Sequence, residues 1–235
     1  MQELPYWKAW HDKSEAVVHM TKDRSPGIGF PEPAPEIGDS RSRLIGILRD
    51  GKIRASYIRH MKYVTPTPIA AAFSEAMPQT IIQMVEFGNY APWGIFVHKF
   101  HVFRQNGGPV FYVNNEYFKA LTNDPTVSGI DYPSQLKYLL APYAPCWQDK
   151  VLFHNGKPCD WTHEREWRTP TDFRLPYING RPDFMIVVPA VEDIDYILSL
   201  DLGLLRPTDF ICIKDLKKIP QGAWHPPMPI YKIAS

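Results

Sequence analysis

A long stretch rich in proline and glycine interrupts the chain near its start and limits what the first third can fold into. Residues 22–43 hold seven Gly or Pro in a polar background. Such a segment cannot maintain a helix or a strand ladder, so it is predicted to be a loop. A second proline-rich segment, 220–235, is predicted to run extended over the surface. Apart from a short strand before the loop, regular structure is therefore expected between these two segments.

The composition of the chain is that of a globular protein. With 44% hydrophobic and 22% charged residues, it is neither collagen-like, nor a coiled coil, nor wholly disordered. Its 235 residues suit one domain spanning 1–235. A net charge of +1 provides no global field for nucleic acid or an anionic membrane, so any such contact needs a local patch.

Cysteine usage and the absence of long apolar runs favour a cytoplasmic location. Cys146, Cys159 and Cys212 are odd in number and lack Cys-x-x-Cys spacing, which argues against a disulfide framework and a structural zinc site. Residues 1–10 do not read as a signal peptide, and no run of 18 apolar residues follows. The sequence therefore predicts a cytoplasmic protein with no membrane contact.

Apolar periodicity predicts the α+β class. The first part of the chain alternates between helices and strands, whereas the part after Trp93 is mostly sheet, with room for only a short helical turn before the strand at 110–113. Strands are predicted at 16–21, 52–57, 70–74, 94–98, 110–113, 184–189 and 210–213. Helices are predicted at 40–50, 78–87, 132–140 and 191–201.

A short charged segment, Glu164-Arg165-Glu166-Trp167-Arg168, is the strongest candidate for chemistry. The two-residue period of a strand places Glu164, Glu166 and Arg168 on one face. One interpretation is a solvated sheet face with ion pairs of little energetic weight. The other is an acid site, in which the carboxylates hold a ribose hydroxyl or steer a nucleophile while the arginine keeps them ionised.

His19 and Thr21 share a face of the first predicted strand, either as packed residues or as part of a polar pocket. His98 and His101 have no third ligand at a recognisable spacing, so no metal is predicted. The P-loop, the Gly-x-Ser-x-Gly elbow and the dinucleotide-binding glycine fingerprint are all missing from the sequence. These absences argue against P-loop nucleotide hydrolases, serine hydrolases and Rossmann dehydrogenases.

An ordered set of short segments resembles the DarT-like ADP-ribosyltransferases and their abortive-infection relatives of the AbiGi type. No segment is specific alone; the order, with the charged segment late in the chain, carries the resemblance. The segments are His19-Met20-Thr21, 47–56 (ILRDGKIRAS), 73–78 (FSEAMP), 90–95 (YAPWGI), 109–112 (PVFY) and 164–168 (EREWR).

The resemblance implies an ADP-ribosyltransferase-like split β-sheet with flanking helices. NAD would be the substrate, ADP-ribose would pass to a macromolecular acceptor, with DNA and RNA among the candidates, and no metal would be needed. The setting would be a toxin or a phage-defence or counter-defence system, with an antitoxin or inhibitor protein as a further partner. The loop at 22–43 is expected to cover the ligand cleft.

Residue roles are carried over from the resemblance by position. The resemblance makes Glu166 the catalytic carboxylate beside the nicotinamide ribose and gives Glu164 a supporting catalytic place. The implied NAD-binding residues are His19, Thr21, Ser56, Phe73, Ser74 and Arg168.

One position departs from the family. The related enzymes carry an arginine for the NAD phosphates in the segment matching 73–78, and this chain has none there. Arg54, Arg59 and Arg168 are possible substitutes. The departure leaves a second hypothesis open: a catalytically silent module of the same fold that binds a nucleotide or a partner protein.

Overall fold

A computed structural model of the chain describes residues 16–21, 39–58, 68–75, 78–87, 90–114, 137–143, 153–154, 157–158 and 165–216. Several predictions lie outside these residues: most of the loop at 22–43, Arg59, Glu164, Cys146, Cys159 and the segment 220–235. Within the described residues, no helix is long and apolar enough to cross a membrane.

The described residues form an α+β structure, as predicted. The helices are α1 (Ser40–Asp50), α2 (Pro78–Phe87), α3 (Lys99–Arg104), α4 (Val191–Ser199) and α5 (Ile213–Leu216), with 3-10 turns at Lys137–Leu139 and Pro207–Asp209. The first eight strands are β1 (Ala16–Met20), β2 (Lys52–Ile53), β3 (Ser56–Tyr57), β4 (Ile69–Ser74), β5 (Gly94–His98), β6 (Gly108–Pro109), β7 (Phe111–Asn114) and β8 (Leu140–Tyr143). The others are β9 (Phe153–His154), β10 (Lys157–Pro158), β11 (Glu166–Thr169), β12 (Phe173–Arg174), β13 (Tyr177–Ile178), β14 (Arg181–Pro182), β15 (Phe184–Val188) and β16 (Phe210–Cys212).

An eight-stranded sheet organises the fold. Seven strands follow the order β16-β15-β5-β1-β4-β11-β6, and β3 pairs with β4 beside this path. Only the β15–β16 pair of this sheet is parallel. The remaining strands form two-stranded ladders, among them the antiparallel hairpin β13–β14 and the parallel pair β7–β8.

The two faces of the sheet are buried under different helices. One face, called the α1 face here, packs Val17, Phe73 and Ile95 against Leu44 of α1 and Ile197 of α4. The opposite face, called the α2 face, packs Val18 and Phe96 against residues of α2 and α5, namely Ile81, Met84, Ile213 and Leu216. The central strands are therefore nearly continuous apolar runs in the sequence, because helices cover both of their faces.

The sheet is weakly joined between β1 and β4. These strands share one residue pair, Val18 with Ser74. In contrast, β1 shares five pairs with β5, and β4 shares four pairs with β11. Beyond Val18 the imidazole of His19 bridges the two strands, with its Nδ1 2.8 Å from the carbonyl oxygen of Ala72. Nδ1 must be the donor in this bond, because a carbonyl oxygen can only accept. We call this weak junction the β1–β4 seam.

Helix α1 begins and ends where its sequence signals predict. The Asp39 carboxylate accepts a hydrogen bond from the Ser42 main-chain N–H at 2.7 Å, and this bond holds the pKa of Asp39 below its usual value. Gly51 ends the helix with φ of 63°, in the left-handed region that glycine adopts without strain. Because the helix starts at Ser40, the predicted loop at 22–43 was wrong over its last four residues.

Most of the other predicted elements are confirmed, with three differences. The predicted strand at 52–57 is two short strands, β2 and β3, which pair with different partners. The helix α3, six residues long, occupies the interval that was expected to hold no more than a short turn of helix. In the predicted helix at 132–140, the described residues form a 3-10 turn and enter β8 at Leu140.

Candidate functional site

The Glu166 carboxylate is held by Arg168 on the same strand. Arg168 Nε donates to Glu166 Oε1 at 2.8 Å, and a terminal nitrogen donates to Oε2 at 2.7 Å. The side chain of Arg168 is 4% exposed and that of Glu166 is 20% exposed. A two-point bond of this kind fixes the plane of the carboxylate as well as its position. The alternation that placed the two side chains on one face is confirmed.

The remaining donors of Arg168 tie β11 to a neighbouring segment. Its other terminal nitrogen donates to the carbonyl oxygens of Tyr138 and Leu140, at 2.9 and 3.1 Å. The Tyr138 hydroxyl donates in turn to the carbonyl oxygen of Asn106, and burial raises the pKa of this phenol. Arg168 is thus a buried structural cation whose donors point at three partners. The expectation of an exposed ion-pair face does not describe this arrangement.

Ser74 lies beside Glu166 across the strand ladder. The two residues are directly paired between β4 and β11, so their side chains lie on the same face of the sheet. This is the α2 face, because Ser74 also pairs with Val18. Ser56 joins the same face further along β4, where it pairs with Ala70. Glu166, Arg168, Ser74 and Ser56 therefore share one face.

His19, Thr21 and Phe73 belong to the opposite face. Phe73 pairs with Trp167, and its ring meets the imidazole of His19 edge to face at 6.0 Å between centroids. Thr21 is 4% exposed, and its hydroxyl lies 2.9 Å from the Ser40 carbonyl oxygen and 3.1 Å from that of Trp93. Thr21 thereby ties the end of β1 to α1 and to the segment before β5.

The predicted site residues thus form two groups separated by the sheet. At the β1–β4 seam, Val18, Ser74 and Glu166 follow one another across three neighbouring strands on the α2 face. His19 spans the seam from the other side by its bond to Ala72. Ala72 is exposed, although it lies in the middle of the sheet, opposite Arg168.

A cation near Thr21 was not anticipated from the sequence. The guanidinium carbon of Arg41, in the first turn of α1, lies 3.6 Å from the centre of the Tyr196 ring and 5.9 Å from that of Trp93. Its Nε is buried and has no hydrogen-bond partner. Among the described residues its guanidinium makes no ion pair either. No sequence pattern signals this arrangement, because Arg41, Trp93 and Tyr196 are far apart in the chain.

A second unanticipated group lies where β4 ends and β11 begins. Glu75 accepts a hydrogen bond from the indole N–H of Trp167 at 3.0 Å and forms an ion pair with Lys99 at 2.6 Å. The Lys99 ammonium also lies 5.0 Å from the centre of the Trp167 ring. The glutamate of the Phe-Ser-Glu segment is therefore engaged in holding α3 against the sheet.

Metal-ligating side chains do not cluster in the described part of the chain, where no group of three or more His, Cys, Asp or Glu could hold a metal ion. His98 caps α3 by accepting the Phe100 main-chain N–H at 3.0 Å. His101 points elsewhere and pairs with Asp183 in the interior. The two histidines that were considered as metal ligands thus have separate partners.

Comparisons with known proteins return no relative of this chain. No protein-family model matches it. No curated protein and no solved structure matches it either. The structure therefore defines this chain as an α+β protein whose eight-stranded sheet is weakly joined between β1 and β4.

Proposed function

We propose that this protein is an NAD-dependent ADP-ribosyltransferase with a macromolecular acceptor, with DNA and RNA among the candidates. The observation that carries the proposal is the Glu166 carboxylate, oriented by a buried arginine and lying beside Ser74 at the β1–β4 seam. The seam supports an ADP-ribosyltransferase-like split sheet, since two halves of four strands meet there through one residue pair.

The reaction requires a carboxylate of this kind. The bond between the ribose C1′ and the nicotinamide nitrogen breaks, and its electron pair leaves with nicotinamide. The acceptor nucleophile bonds to C1′ and loses its proton. Positive charge develops on the sugar in the transition state, and a fixed negative charge beside it lowers the barrier. Glu166 would supply that charge and accept a hydrogen bond from a ribose hydroxyl, and Arg168 would hold the carboxylate in place.

Arg41 is the residue we assign to the NAD phosphates in this proposal. It lies with Trp93 on the α1 side of the sheet, so the proposal requires the dinucleotide to pass around the strand ends to reach Glu166 on the α2 face. Arg168 is occupied by Glu166 and two carbonyl oxygens, and Arg54 pairs with Asp50 at 2.6 Å. The guanidinium of Arg41 has neither an ion pair nor a hydrogen bond among the described residues and lies beside Trp93, whose carbonyl oxygen contacts Thr21. Arginine suits phosphate because its planar fork donates two parallel hydrogen bonds.

Arg41→Gln is therefore expected to raise the KM for NAD roughly tenfold with little change in kcat, since a ground-state phosphate contact is lost. Arg49→Gln is the matched control: it removes the same charge from an exposed position in the last turn of the same helix. Steady-state kinetics of the two variants test the assignment, and equal KM values would contradict it.

Incubating the full chain with NAD labelled in its adenylate part, together with DNA, RNA and protein acceptors, tests the proposal as a whole. Label should appear in one class of acceptor while NAD is consumed. If NAD is not consumed and no acceptor is labelled, the enzyme proposal fails.

A silent binding module is the second candidate, and one observation favours it. His19 and Thr21 lie on the face opposite to Glu166 and already bond to main-chain carbonyl oxygens. Such a module would bind NAD or another nucleotide without turnover. Calorimetry with NAD separates the two candidates, because a tight complex with no release of nicotinamide favours the module.

A further inference from the structure

An open cleft lies away from Glu166, where the β13–β14 hairpin meets the 3-10 turn at Pro207–Asp209. Its volume is about 570 Å³, within the range of small-molecule sites. The polar residues that line it are Asn179, Arg181, Asp183, Arg206 and Asp209. None of these residues belongs to the NAD site proposed above.

Two arginines that border the cleft have no ion-pair partner among the described residues. Arg181 and Arg206 are both exposed and both line the cleft. Neither guanidinium makes an ion pair or a hydrogen bond within the part of the chain that the structure describes. Two unpaired guanidinium groups beside one cleft are suited to a phosphate, which offers several acceptor oxygens.

A tight turn and a hydrogen bond from the main chain to a side chain fix the backbone beside the two arginines. Arg181 follows the turn Asn179-Gly180, whose φ angles are 50° and 76°. Positive φ at both central residues is the geometry of the tightest hairpins, and it fixes the direction of β14. The main-chain N–H of Arg206 donates to the Asp209 carboxylate at 2.8 Å.

The deepest polar group of the cleft is the carboxylate of Asp183. This residue is 3% exposed, and its Oδ2 is bonded to Nε2 of His101, which is 7% exposed. Its second oxygen, Oδ1, has no hydrogen bond among the described residues. A carboxylate oxygen that lines a cleft and makes no hydrogen bond within the protein can accept one from a ligand or from water.

We propose that this cleft binds a nucleotide unit. Arg181 and Arg206 hold its phosphate, and Asp183 Oδ1 accepts a hydrogen bond from a sugar hydroxyl or a base amino group. His101 positions Asp183 from behind, so that the free oxygen faces the ligand. The shared chemistry, a phosphate beside a hydrogen-bond donor, belongs both to a free nucleotide and to a strand of nucleic acid.

The test uses the full chain, without NAD, and two probes: ADP and a single-stranded oligonucleotide about eight nucleotides long. Arg181→Gln and Arg206→Gln should each weaken binding roughly tenfold, because each removes a charge-assisted contact to phosphate. Arg174→Gln is the matched control, since Arg174 is exposed on β12 and does not line the cleft. Asp183→Asn serves as a further variant, with its folding checked by circular dichroism.

The two probes separate the sources of the ligand. If ADP binds and the oligonucleotide binds no more tightly, the cleft takes a free nucleotide. If the oligonucleotide binds more tightly, with the same dependence on both arginines, the cleft takes a nucleic-acid strand. The proposal is overturned if neither probe binds, or if the two cleft variants bind as Arg174→Gln does. NAD turnover plays no part in this test, so it stands or fails separately from the proposed function.

Discussion

Replacing Glu166 by Gln is expected to reduce ADP-ribose transfer at least about 100-fold while NAD still binds. The change removes the negative charge that faces the developing positive charge on the ribose, which costs on the order of 3 kcal/mol in the transition state. The Gln amide oxygen can still accept a hydrogen bond from the ribose hydroxyl, so NAD binding in the ground state should persist. Rates of nicotinamide release, measured together with NAD affinity by calorimetry, check both parts of this expectation.

The pairing with Arg168 demands a control on folding. Because Gln cannot neutralise the buried guanidinium, Glu166→Gln will also lose some stability. Rates should therefore be compared at a temperature where both proteins are fully folded. Glu164→Gln should slow the reaction less than Glu166→Gln. If Glu164→Gln is the slower of the two variants, the catalytic carboxylate has been misassigned; if Glu166→Gln keeps full activity, the assignment is wrong.

Replacing Arg168 by Leu is expected to destabilise the fold by about 3 kcal/mol. The change leaves the Glu166 carboxylate without its counter-ion and removes the Arg168 hydrogen bonds to the Tyr138 and Leu140 carbonyl oxygens. Urea unfolding of the wild type and the variant, with the slope compared as well as the midpoint, measures this effect.

Two further variants test whether the loss of stability is specific to the buried Arg168. Arg174→Leu removes an exposed arginine and should change stability by less than about 1 kcal/mol. The double variant Arg168→Leu with Glu166→Leu should recover part of the loss, because no unpaired charge then remains buried. If Arg168→Leu is no less stable than Arg174→Leu, the buried pair does not hold β11 to its neighbour.

Local patterns predicted the elements well, because their signals are contained in a few adjacent residues. The cap at Asp39, the turn at Gly51 and the apolar run of β15 each depend on near neighbours. The alternation of Glu166 and Arg168 along β11 was also readable from the sequence. The short bounds of β2 and β3 were not, since they are set by which strand each one pairs with.

The relative placement of the candidate residues could not be predicted. Strand order decides that His19 faces away from Glu166, and strand order depends on long-range pairing that no local pattern contains. The same holds for Arg41, which meets Tyr196 through packing of α1 near α4. The cleft at Arg181 and Arg206 joins two segments with Asp183 and, beneath it, His101 of α3, so no motif in the sequence marked it.

Following both halves of NAD in one reaction tests whether the protein transfers ADP-ribose and whether Glu166 is needed for the transfer. NAD carrying one label in the adenylate part and a different label in nicotinamide is incubated with the wild type, with Glu166→Gln and with the acceptor class that the first assay identifies. We expect the wild type to release nicotinamide in an amount equal to the adenylate label gained by the acceptor, and Glu166→Gln to do neither at a comparable rate. Bound NAD that keeps both labels in the wild type would mean that the protein is a binding module and not a transferase.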